Sequence, residues 1–420
     1  MTTQKRAFIA LCFISSTMLM WSVTNPMLAY IIQSYPDVAV SRVTSILTIP
    51  GLVALFVSFL IGPLALKINK KYILLFTVGT TLIYYSIFAV VGGSGPFVLL
   101  LVAAGILGIN RGAGIALVNS SIAEFLNPEK RAANIALCAA IMQGGAAFMA
   151  TVGGRIASAS GGENWAVSHY LGFLCIPAMI AFAAIMPKKP DEETPPGDDA
   201  QKSAQGTDKE SIPGEAAKNE RSRIPMRIFA IIALQFAFIV CFSAYFLNSS
   251  IYIIIEYELG TSADAGLVSS TFTMIGVLTG LTYKIWGKIL KKWIVPFGYT
   301  IAIFGILTML SVTTTIAGIW AAAVMISIGF NLANPYVSSK VISLSPKKYV
   351  PVFMSIHIGC TNLAIFLASS ILGFFGGFLG SGVAGALRVA AILLPCCAVA
   401  ASLLFPLEKN AKILATTQNR

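Results

Sequence analysis

Runs of about 20 apolar residues recur along the whole chain, and about 20 helical residues are needed to cross a hydrocarbon core of about 30 Å. Short polar stretches separate these runs. The pattern predicts twelve membrane-spanning helices, at residues 7–32, 43–66, 72–91, 97–125, 132–157, 166–186, 226–255, 265–287, 294–313, 316–342, 350–378 and 383–407. The chain is therefore predicted to be an all-α polytopic membrane protein with the lipid bilayer as its surroundings.

Composition supports this prediction. Apolar residues make up 56% of the chain, charged residues only 11%, and the mean hydropathy is +0.81, which is outside the range of soluble domains. The net charge of +12 comes from residues spread over short loops, so it does not indicate a nucleic-acid partner. All seven cysteines lie in apolar runs, which is not the pattern of a disulfide framework.

The basic residues also predict orientation, because Lys and Arg are enriched in cytoplasmic loops. The side that holds both termini carries most of the 29 Lys and Arg residues. The exceptions are Arg42, Arg155 and Arg388, on the other side, and Arg111, inside a span. Both termini are expected to be cytoplasmic, in a plasma membrane or, for a bacterial protein, the inner membrane.

Residues 187–224 are rich in Pro, Gly, Ser and charge and are predicted to form a disordered cytoplasmic linker. This segment divides the chain into two six-helix bundles, at 1–186 and 225–420. The halves resemble repeats, since segment two ends IGPLALKINKKYI and segment eight ends WGKILKKWI. Duplicated halves of this kind place a binding site near the bilayer midplane, at their interface.

The loop after the second helix carries a basic motif that resembles Gly-x-Leu-Ala-Asp-Arg-x-Gly-Arg-Lys of the major facilitator superfamily (MFS). Leu66 occupies the Asp place and Asn69 the second Gly place, whereas the matching residues are Gly62, Leu64, Ala65, Lys67, Lys70 and Lys71. The resemblance covers the whole chain. It implies a monomeric transporter that works by alternating access, with the basic loop forming part of a cytoplasmic gate. Because the Asp is missing, Glu124 is expected to supply a negative charge to Lys67 or Arg131.

Two further segments bear on that resemblance. In exporters of the superfamily the fourth helix often carries an arginine ahead of a Gly-rich stretch, and Arg111 with Gly112 is similar. The fifth helix of proton-driven antiporters usually ends Gly-Pro-x-x-Gly-Gly. Gly153 and Gly154 match this pattern, whereas Met149 and Ala150 fill the Gly-Pro places.

Arg111 is the candidate ligand contact. It lies fourteen residues from each end of the run 97–125, and an arginine at the centre of a span costs roughly 2.5 to 3.5 kcal/mol to insert. Such a charge faces protein, water or an anionic ligand, and guanidinium groups suit carboxylates and phosphates. The alternative is that Arg111 bonds to neighbouring helices and fixes packing. No carboxylate lies at mid-depth in another helix, which favours a ligand.

A polar stripe runs along segment seven, where Tyr245, Asn248, Ser249, Tyr252 and Glu256 recur on one helical face. The stripe predicts a cavity wall in the outer half, with Tyr and Asn groups binding substrate. Hydrogen-bonded helix packing is the alternative.

Shorter polar stripes occur on segments one and ten, and the same two interpretations apply to their residues Trp21, Asn25, Asn331 and Asn334. Gln143, beside Gly144 and Gly145, is interpreted as close helix packing. His357 is taken as the histidine within a span and is a candidate carrier of a coupling proton, with neutral packing as the alternative. Glu124 is a weaker candidate for the same role.

The chain contains no phosphate-binding loop, no His-Glu-x-x-His pair and no paired intramembrane aspartates. We therefore expect no enzymatic activity, no cofactor and no metal. The predicted function is secondary active or facilitative transport of a small solute, a small organic anion being favoured and a proton or counter-anion being the candidate coupling ion. The alternatives are a proton-coupled exporter of drugs or metabolites and, from another class, a membrane receptor or scaffold that does not transport.

Overall fold

A computed structural model describes residues 2–126, 131–162, 164–187, 226–311, 315–345, 350–380 and 382–405. Within these residues twelve helical segments are long and apolar enough to cross a membrane, and no strand occurs. The prediction of an all-α polytopic fold is confirmed. The predicted linker 187–224 lies, apart from residue 187, outside the described residues.

We number the membrane-spanning segments span 1 to span 12. In spans 1 to 6 the helices are Thr3–Ser15, Met20–Val23 and Thr24–Ser34 (span 1), Val40–Lys67, Lys70–Val91, Phe97–Phe125, Arg131–Ala159, and Trp165–Leu174 with Cys175–Ile185 (span 6). In spans 7 to 12 they are Met226–Ile251 with the π-helical Tyr252–Glu256, Ser262–Leu281, Ile294–Ser311, Ile316–Leu344, Val350–Leu379 and Gly382–Leu404. The helix Tyr283–Leu290 and the turn Lys291–Trp293 precede Ile294–Ser311.

Most predicted boundaries agree with these helices to within a few residues, and segment eight is an exception. Its helix ends at Leu281 rather than at 287, because residues 283–290 form a separate helix. That helix is amphipathic, with one basic and one apolar face. Ile285 and Ile289 on that helix are exposed apolar residues. Such a helix is suited to the membrane surface rather than to the bilayer core.

Successive spans run in opposite directions. We use the term basic face for the membrane face at which spans 2 and 3 are joined by Lys67, Lys70 and Lys71, and opposite face for the other. The residues that begin span 1 also lie at the basic face.

Span 1 is interrupted in its middle. The hydroxyls of Ser16 and Thr17 donate to the carbonyls of Phe13 and Ile14, each at 2.7 Å, and such local bonds compete with continuation of the helix. A 3-10 turn at Met20–Val23 follows before the chain becomes α-helical again at Thr24. Trp21 and Asn25 therefore lie at or beside the interruption, near the middle of the span.

Span 4 packs closely against span 2. A Cβ added at Gly108 would overlap the carbonyl oxygen of Pro50, and one added at Gly112 would overlap that of Ala54. Small residues allow this kind of close approach between membrane helices. This close contact holds Arg111 in position, because Arg111 lies between Gly108 and Gly112 on the same helix.

The two halves of the chain meet along a set of hydrogen bonds that we call the closing seam. Ser250 donates to the carbonyl of Pro26 at 2.9 Å, Ser262 to that of Gly154 at 2.7 Å, and Ser270 to that of Ala147 at 2.8 Å. These residues lie in the middle of spans 1, 5, 7 and 8 and in their parts nearer the opposite face. The seam therefore lies between the midplane and that face.

Candidate functional site

A cavity of about 120 Å³, which we call the central cavity, lies where spans 1, 5, 7 and 8 meet. It is next to the closing seam, because the wall residues Asn25 and Ser249 directly precede the seam residues Pro26 and Ser250. Its wall consists of Leu19, Trp21, Ser22, Asn25, Gln143, Ala146, Ala150, Tyr245, Phe246, Ser249, Ser269, Phe272 and Thr273. None of these residues carries a charge. The cavity has the midplane position expected of a binding site between duplicated halves.

Three polar atoms in this wall are buried and have no hydrogen-bond partner in the described part of the chain. They are Nε1 of Trp21, Oδ1 of Asn25 and the hydroxyl of Tyr245. Asn25 is only 8% exposed and Tyr245 only 3%. A buried polar group without a partner costs about 1 to 3 kcal/mol, so water or a ligand is needed to satisfy each of them. All three residues were predicted from the sequence as candidate substrate contacts.

Aromatic rings form much of the remaining wall. The rings of Trp21 and Phe246 meet edge to face with centroids 6.1 Å apart, and those of Tyr245 and Phe272 are 5.7 Å apart. The wall therefore combines flat apolar surfaces with a few unsatisfied polar atoms, which is the usual composition of a small-molecule site.

Arg111 lies next to the central cavity without being part of its wall. The guanidinium carbon is 5.1 Å from the centroid of the Trp21 ring, close enough for a cation–π contact. Its Nη1 atom is buried and has no hydrogen-bond partner among the residues that the structure describes. In the part of the chain that the structure describes, the ion pair within 4.0 Å is that of Lys70 with Glu124, so no described carboxylate neutralises Arg111.

Asn110, the residue before Arg111, is 2% exposed, and both polar atoms of its amide lack partners. Span 4 thus has a guanidinium nitrogen next to Trp21 and, on the preceding residue, a complete amide group, all without partners among the described residues. Asn110 is not among the residues predicted from the sequence as contacts, although an asparagine beside the central arginine is a usable signal.

The other predicted contact residues lie away from the central cavity. Asn248 donates to the carbonyl of Ala244 at 2.8 Å, and the Tyr252 hydroxyl donates to that of Met309 at 2.5 Å. On span 10, Asn331 donates to the carbonyl of Ser327 at 2.9 Å, and Asn334 accepts from Nε2 of Gln235 at 3.0 Å. The bonds of Tyr252 and Asn334 join neighbouring helices, whereas those of Asn248 and Asn331 stay within their own helices.

A second cavity of about 490 Å³ lies nearer the opposite face, between the ends of spans 1, 2, 7, 11 and 12. Asn248 and Glu256 contribute to its wall. The polar stripe of span 7 is therefore divided, with Tyr245 and Ser249 in the central cavity and Asn248 and Glu256 in the second. Gln143, interpreted from sequence as packing, lines the central cavity, while a Cβ at nearby Gly145 would overlap the carbonyl oxygen of Ser16.

The structure places two histidines within membrane spans, whereas only His357 was predicted from the sequence to lie in one. His169 also lies within a span, Trp165–Ile185, and is fully buried. Its Nε2 atom is 3.2 Å from the hydroxyl of Thr24, which in turn contacts the hydroxyl of Tyr84. The predicted segment 166–186 already contained His169, so the omission was an error of sequence analysis. His357 bonds through Nε2 to the Ser338 hydroxyl at 3.0 Å, and its Nδ1 atom has no partner.

The basic loop is held by contacts on both sides. Glu124 pairs with Lys70 at 2.8 Å, not with Lys67 as expected, and the side chain of Arg131 lies outside the described atoms. Lys70 faces Glu124 because it begins the third span, where Asn69 caps the helix by accepting from the backbone N–H of Lys71 at 2.9 Å. Lys71 donates to the carbonyl of Met186 at 2.8 Å.

Two parts of this loop motif make fewer contacts. A Cβ added at Gly62 would have no atom within 4 Å, and Lys67 is exposed. Asn69, which stands where the superfamily motif has its second Gly, makes a contact that Gly does not make. Its side chain caps the helix of the third span.

The sequence model of the Major Facilitator Superfamily matches residues 10–369 and, in a second match, residues 236–418. The chain therefore belongs to the major facilitator superfamily. No curated protein matches it in sequence.

Solved structures show the same fold. A mutant of the nucleoside transporter NupG has a TM-score of 0.73 at 12% identity, and the match covers 95% of this chain and all of that one. A bacterial homologue of the human lysosomal transporter Spinster, in an inward-facing and unoccupied conformation, has a TM-score of 0.69 at 13% identity and covers 96% and 98%. The human organic anion transporter MFSD10 has a TM-score of 0.65 at 12% identity and covers 96% and 100%. The protein is a multi-pass membrane protein with the MFS transporter fold.

Proposed function

We propose that the protein is a secondary active or facilitative transporter of a small organic anion, which binds at the central cavity and at Arg111. The observation that carries this proposal is the buried guanidinium nitrogen of Arg111, which has neither a hydrogen-bond partner nor a carboxylate neighbour in the described residues. An ionisable group at this depth is by default a functional group. A carboxylate or phosphate would supply both the missing bond and the missing charge.

Trp21 connects Arg111 to the cavity, since its ring contacts the guanidinium and also forms part of the wall. The expected arrangement places the charged group of the substrate beside Arg111 and Trp21 and its organic part in the cavity. Asn25 and Tyr245 are the polar contacts to the organic part. The MFS fold is compatible with such a solute, because the fold occurs in a protein named as an organic anion transporter.

Alternating access is the expected mechanism, because the central cavity lies between the two halves and the closing seam lies between it and the opposite face. Opening toward that face requires the seam bonds of Ser250, Ser262 and Ser270 to break. Each of these three hydroxyls donates to a backbone carbonyl of the other half. When the seam opens, water can take the place of the lost partner at each hydroxyl and carbonyl.

Several features of the cellular arrangement belong to the same proposal. We place both termini on the cytoplasmic side of a plasma membrane, with residues 187–224 as a disordered cytoplasmic linker between bundles 1–186 and 225–420, and we expect a monomer. The candidate for proton coupling is His357, whose Nδ1 atom has no partner. Glu124 is the weaker candidate, because it already pairs with Lys70.

The experiment is a thermal-shift screen of the purified protein against small carboxylates, phosphates and cationic drugs, with Arg111→Gln measured in parallel. A ligand at 100 times its dissociation constant stabilises a protein by about 2.7 kcal/mol. We expect an anion to raise the melting temperature of the wild type and not that of Arg111→Gln. If only neutral or cationic compounds do so, and both proteins respond equally, the anion proposal is wrong.

That second outcome supports the exporter of drugs or metabolites. The specific observation that favours an exporter is the uncharged, aromatic wall of the central cavity. Dye efflux from cells that express the protein distinguishes the two functions. A receptor or scaffold is the remaining alternative, and it predicts no exchange of any solute across vesicles.

A further inference from the structure

The size of the central cavity limits the organic part of the substrate. The cavity measures about 120 Å³. For comparison, an apolar protein cavity of about 150 Å³ accommodates one benzene molecule. The central cavity is therefore close in size to one small ring, and two fused rings would extend well beyond it.

The shape and chemistry of the wall favour a flat ring. Trp21 and Phe246 form one pair of wall rings with an interplanar angle of 71°, and Tyr245 and Phe272 form a second pair with an angle of 31°. Aromatic pairs contribute about 0.5 to 1.5 kcal/mol beyond the apolar area that they bury. An aromatic ring gains this contribution in the cavity, whereas a saturated ring of the same size does not.

The unsatisfied atoms divide into two groups with different requirements. Nε1 of Trp21 and Nη1 of Arg111 only donate, and they belong to side chains that touch each other. Oδ1 of Asn25 only accepts, and the Tyr245 hydroxyl does either. The ligand must therefore present acceptors to Trp21 and Arg111 and a donor to Asn25.

We propose that the substrate is a single-ring aromatic or heteroaromatic carboxylate that carries a hydroxyl or a ring N–H group. Its carboxylate accepts from Trp21 and Arg111, its ring occupies the central cavity, and its hydroxyl or ring N–H donates to Asn25 next to Tyr245. This inference rests on the function proposed above, which supplies the anionic group.

The first test uses the wild-type protein alone, so it does not depend on any variant being stable. Dissociation constants are measured by titration calorimetry for 4-hydroxybenzoate, benzoate, cyclohexanecarboxylate and 6-hydroxy-2-naphthoate. We expect 4-hydroxybenzoate to bind roughly tenfold more tightly than cyclohexanecarboxylate, since ring contacts and one hydrogen bond each contribute a few-fold. Benzoate is expected to lie between them, and the naphthoate to bind more weakly than 4-hydroxybenzoate.

The second test assigns the hydroxyl of the ligand to its contacts. In Asn25→Leu the preference for 4-hydroxybenzoate over benzoate is expected to shrink to less than about twofold, because the variant lacks the acceptor of the hydrogen bond that produces it. The matched control is Asn331→Leu, in which an asparagine bonded within span 10 is replaced, and it should keep the wild-type preference.

The results distinguish this inference from the proposed function. If cyclohexanecarboxylate or the naphthoate binds as tightly as 4-hydroxybenzoate, and Arg111→Gln still abolishes binding, the inference about the ring is wrong and the anion transporter stands. If no carboxylate binds, or if binding is unchanged in Arg111→Gln, the anion proposal fails and this inference fails with it.

Discussion

Asparagine and tyrosine side chains form two polar clusters in this protein. The side chains of one cluster are hydrogen-bonded to each other, and those of the other are not. In the C-terminal half, Asn334 accepts from Gln235 at 3.0 Å, and Gln235 accepts in turn from the Tyr299 hydroxyl at 3.2 Å. We call these three residues the paired cluster. At the central cavity, Asn25 Oδ1 and the Tyr245 hydroxyl have no hydrogen-bond partner within the described ranges.

The difference indicates two uses of the same residue types. A satisfied buried network holds helices together, whereas unsatisfied groups reduce stability unless a ligand or water pairs with them. The paired cluster joins spans 7, 9 and 10 and is interpreted as packing. The unpartnered atoms on spans 1, 4 and 7 are interpreted as the binding site.

The largest expected effect is that of Arg111→Gln on anion binding. Truncating one partner of a buried charged pair costs about 2 to 5 kcal/mol, so the affinity for the anion should fall at least roughly 30-fold. The melting temperature without ligand should stay unchanged or rise, because the substitution removes an unpaired charge. Calorimetry and thermal melting measure the two quantities. The matched control is Arg155→Gln, an exposed arginine, which should leave affinity unchanged. An equal loss in both variants contradicts the assignment.

Substituting leucine at the two asparagines compares the groups directly. Asn334→Leu leaves Nε2 of Gln235 without its acceptor and should lower the free energy of unfolding by about 1 to 3 kcal/mol. Asn25→Leu removes an atom that has no partner and should leave stability unchanged or slightly higher. Unfolding titrations in detergent measure both. A larger loss of stability in Asn25→Leu than in Asn334→Leu would contradict the distinction between the groups.

The tyrosines provide a smaller version of the same comparison. Tyr299→Phe removes the donor to Gln235 and should cost about 0.5 to 1.5 kcal/mol of stability, the net contribution of one hydrogen bond. Tyr245→Phe should cost nothing measurable in the absence of ligand, because its hydroxyl has no partner among the described residues. Unfolding titrations of the two variants, side by side, decide whether the difference has the predicted sign.

The smallest effect is expected at the basic face. Glu124→Gln breaks the ion pair with Lys70, whose side chains are 20% and 39% exposed. Exposed pairs of this kind contribute about 0.2 to 1 kcal/mol and are screened by salt. The melting temperature of the variant should therefore be slightly lower at low salt and indistinguishable from the wild type at high salt. A loss that persists at high salt would indicate a contact other than the ion pair.

Much of the fold was predictable because hydropathy alone marks segments that must satisfy their backbone within a membrane. The interruption of span 1 was not predicted, since it depends on local bonds made by Ser16 and Thr17 that an apolar run does not reveal. The C-terminal end of span 8 was misplaced for a related reason. An amphipathic helix at 283–290 continues the apolar pattern without belonging to the span.

The candidate site was predictable only in part. The sequence marked Arg111, Trp21, Asn25 and Tyr245 as polar or aromatic residues at mid-depth, and the structure brings all four to one place. It marked Asn334 on the same grounds, but whether a buried amide has a partner depends on the neighbouring helix, here Gln235 of span 7. Helical periodicity describes one helix at a time, so it does not distinguish a satisfied asparagine from an unsatisfied one.

The most direct test is counterflow in proteoliposomes with the tightest-binding anion of the thermal-shift screen as the radiolabelled solute. We expect wild type and Arg155→Gln to exchange internal for external anion, and Arg111→Gln to show no exchange above protein-free vesicles. Equal exchange by Arg111→Gln and wild type would contradict the assignment of Arg111 as the anion contact.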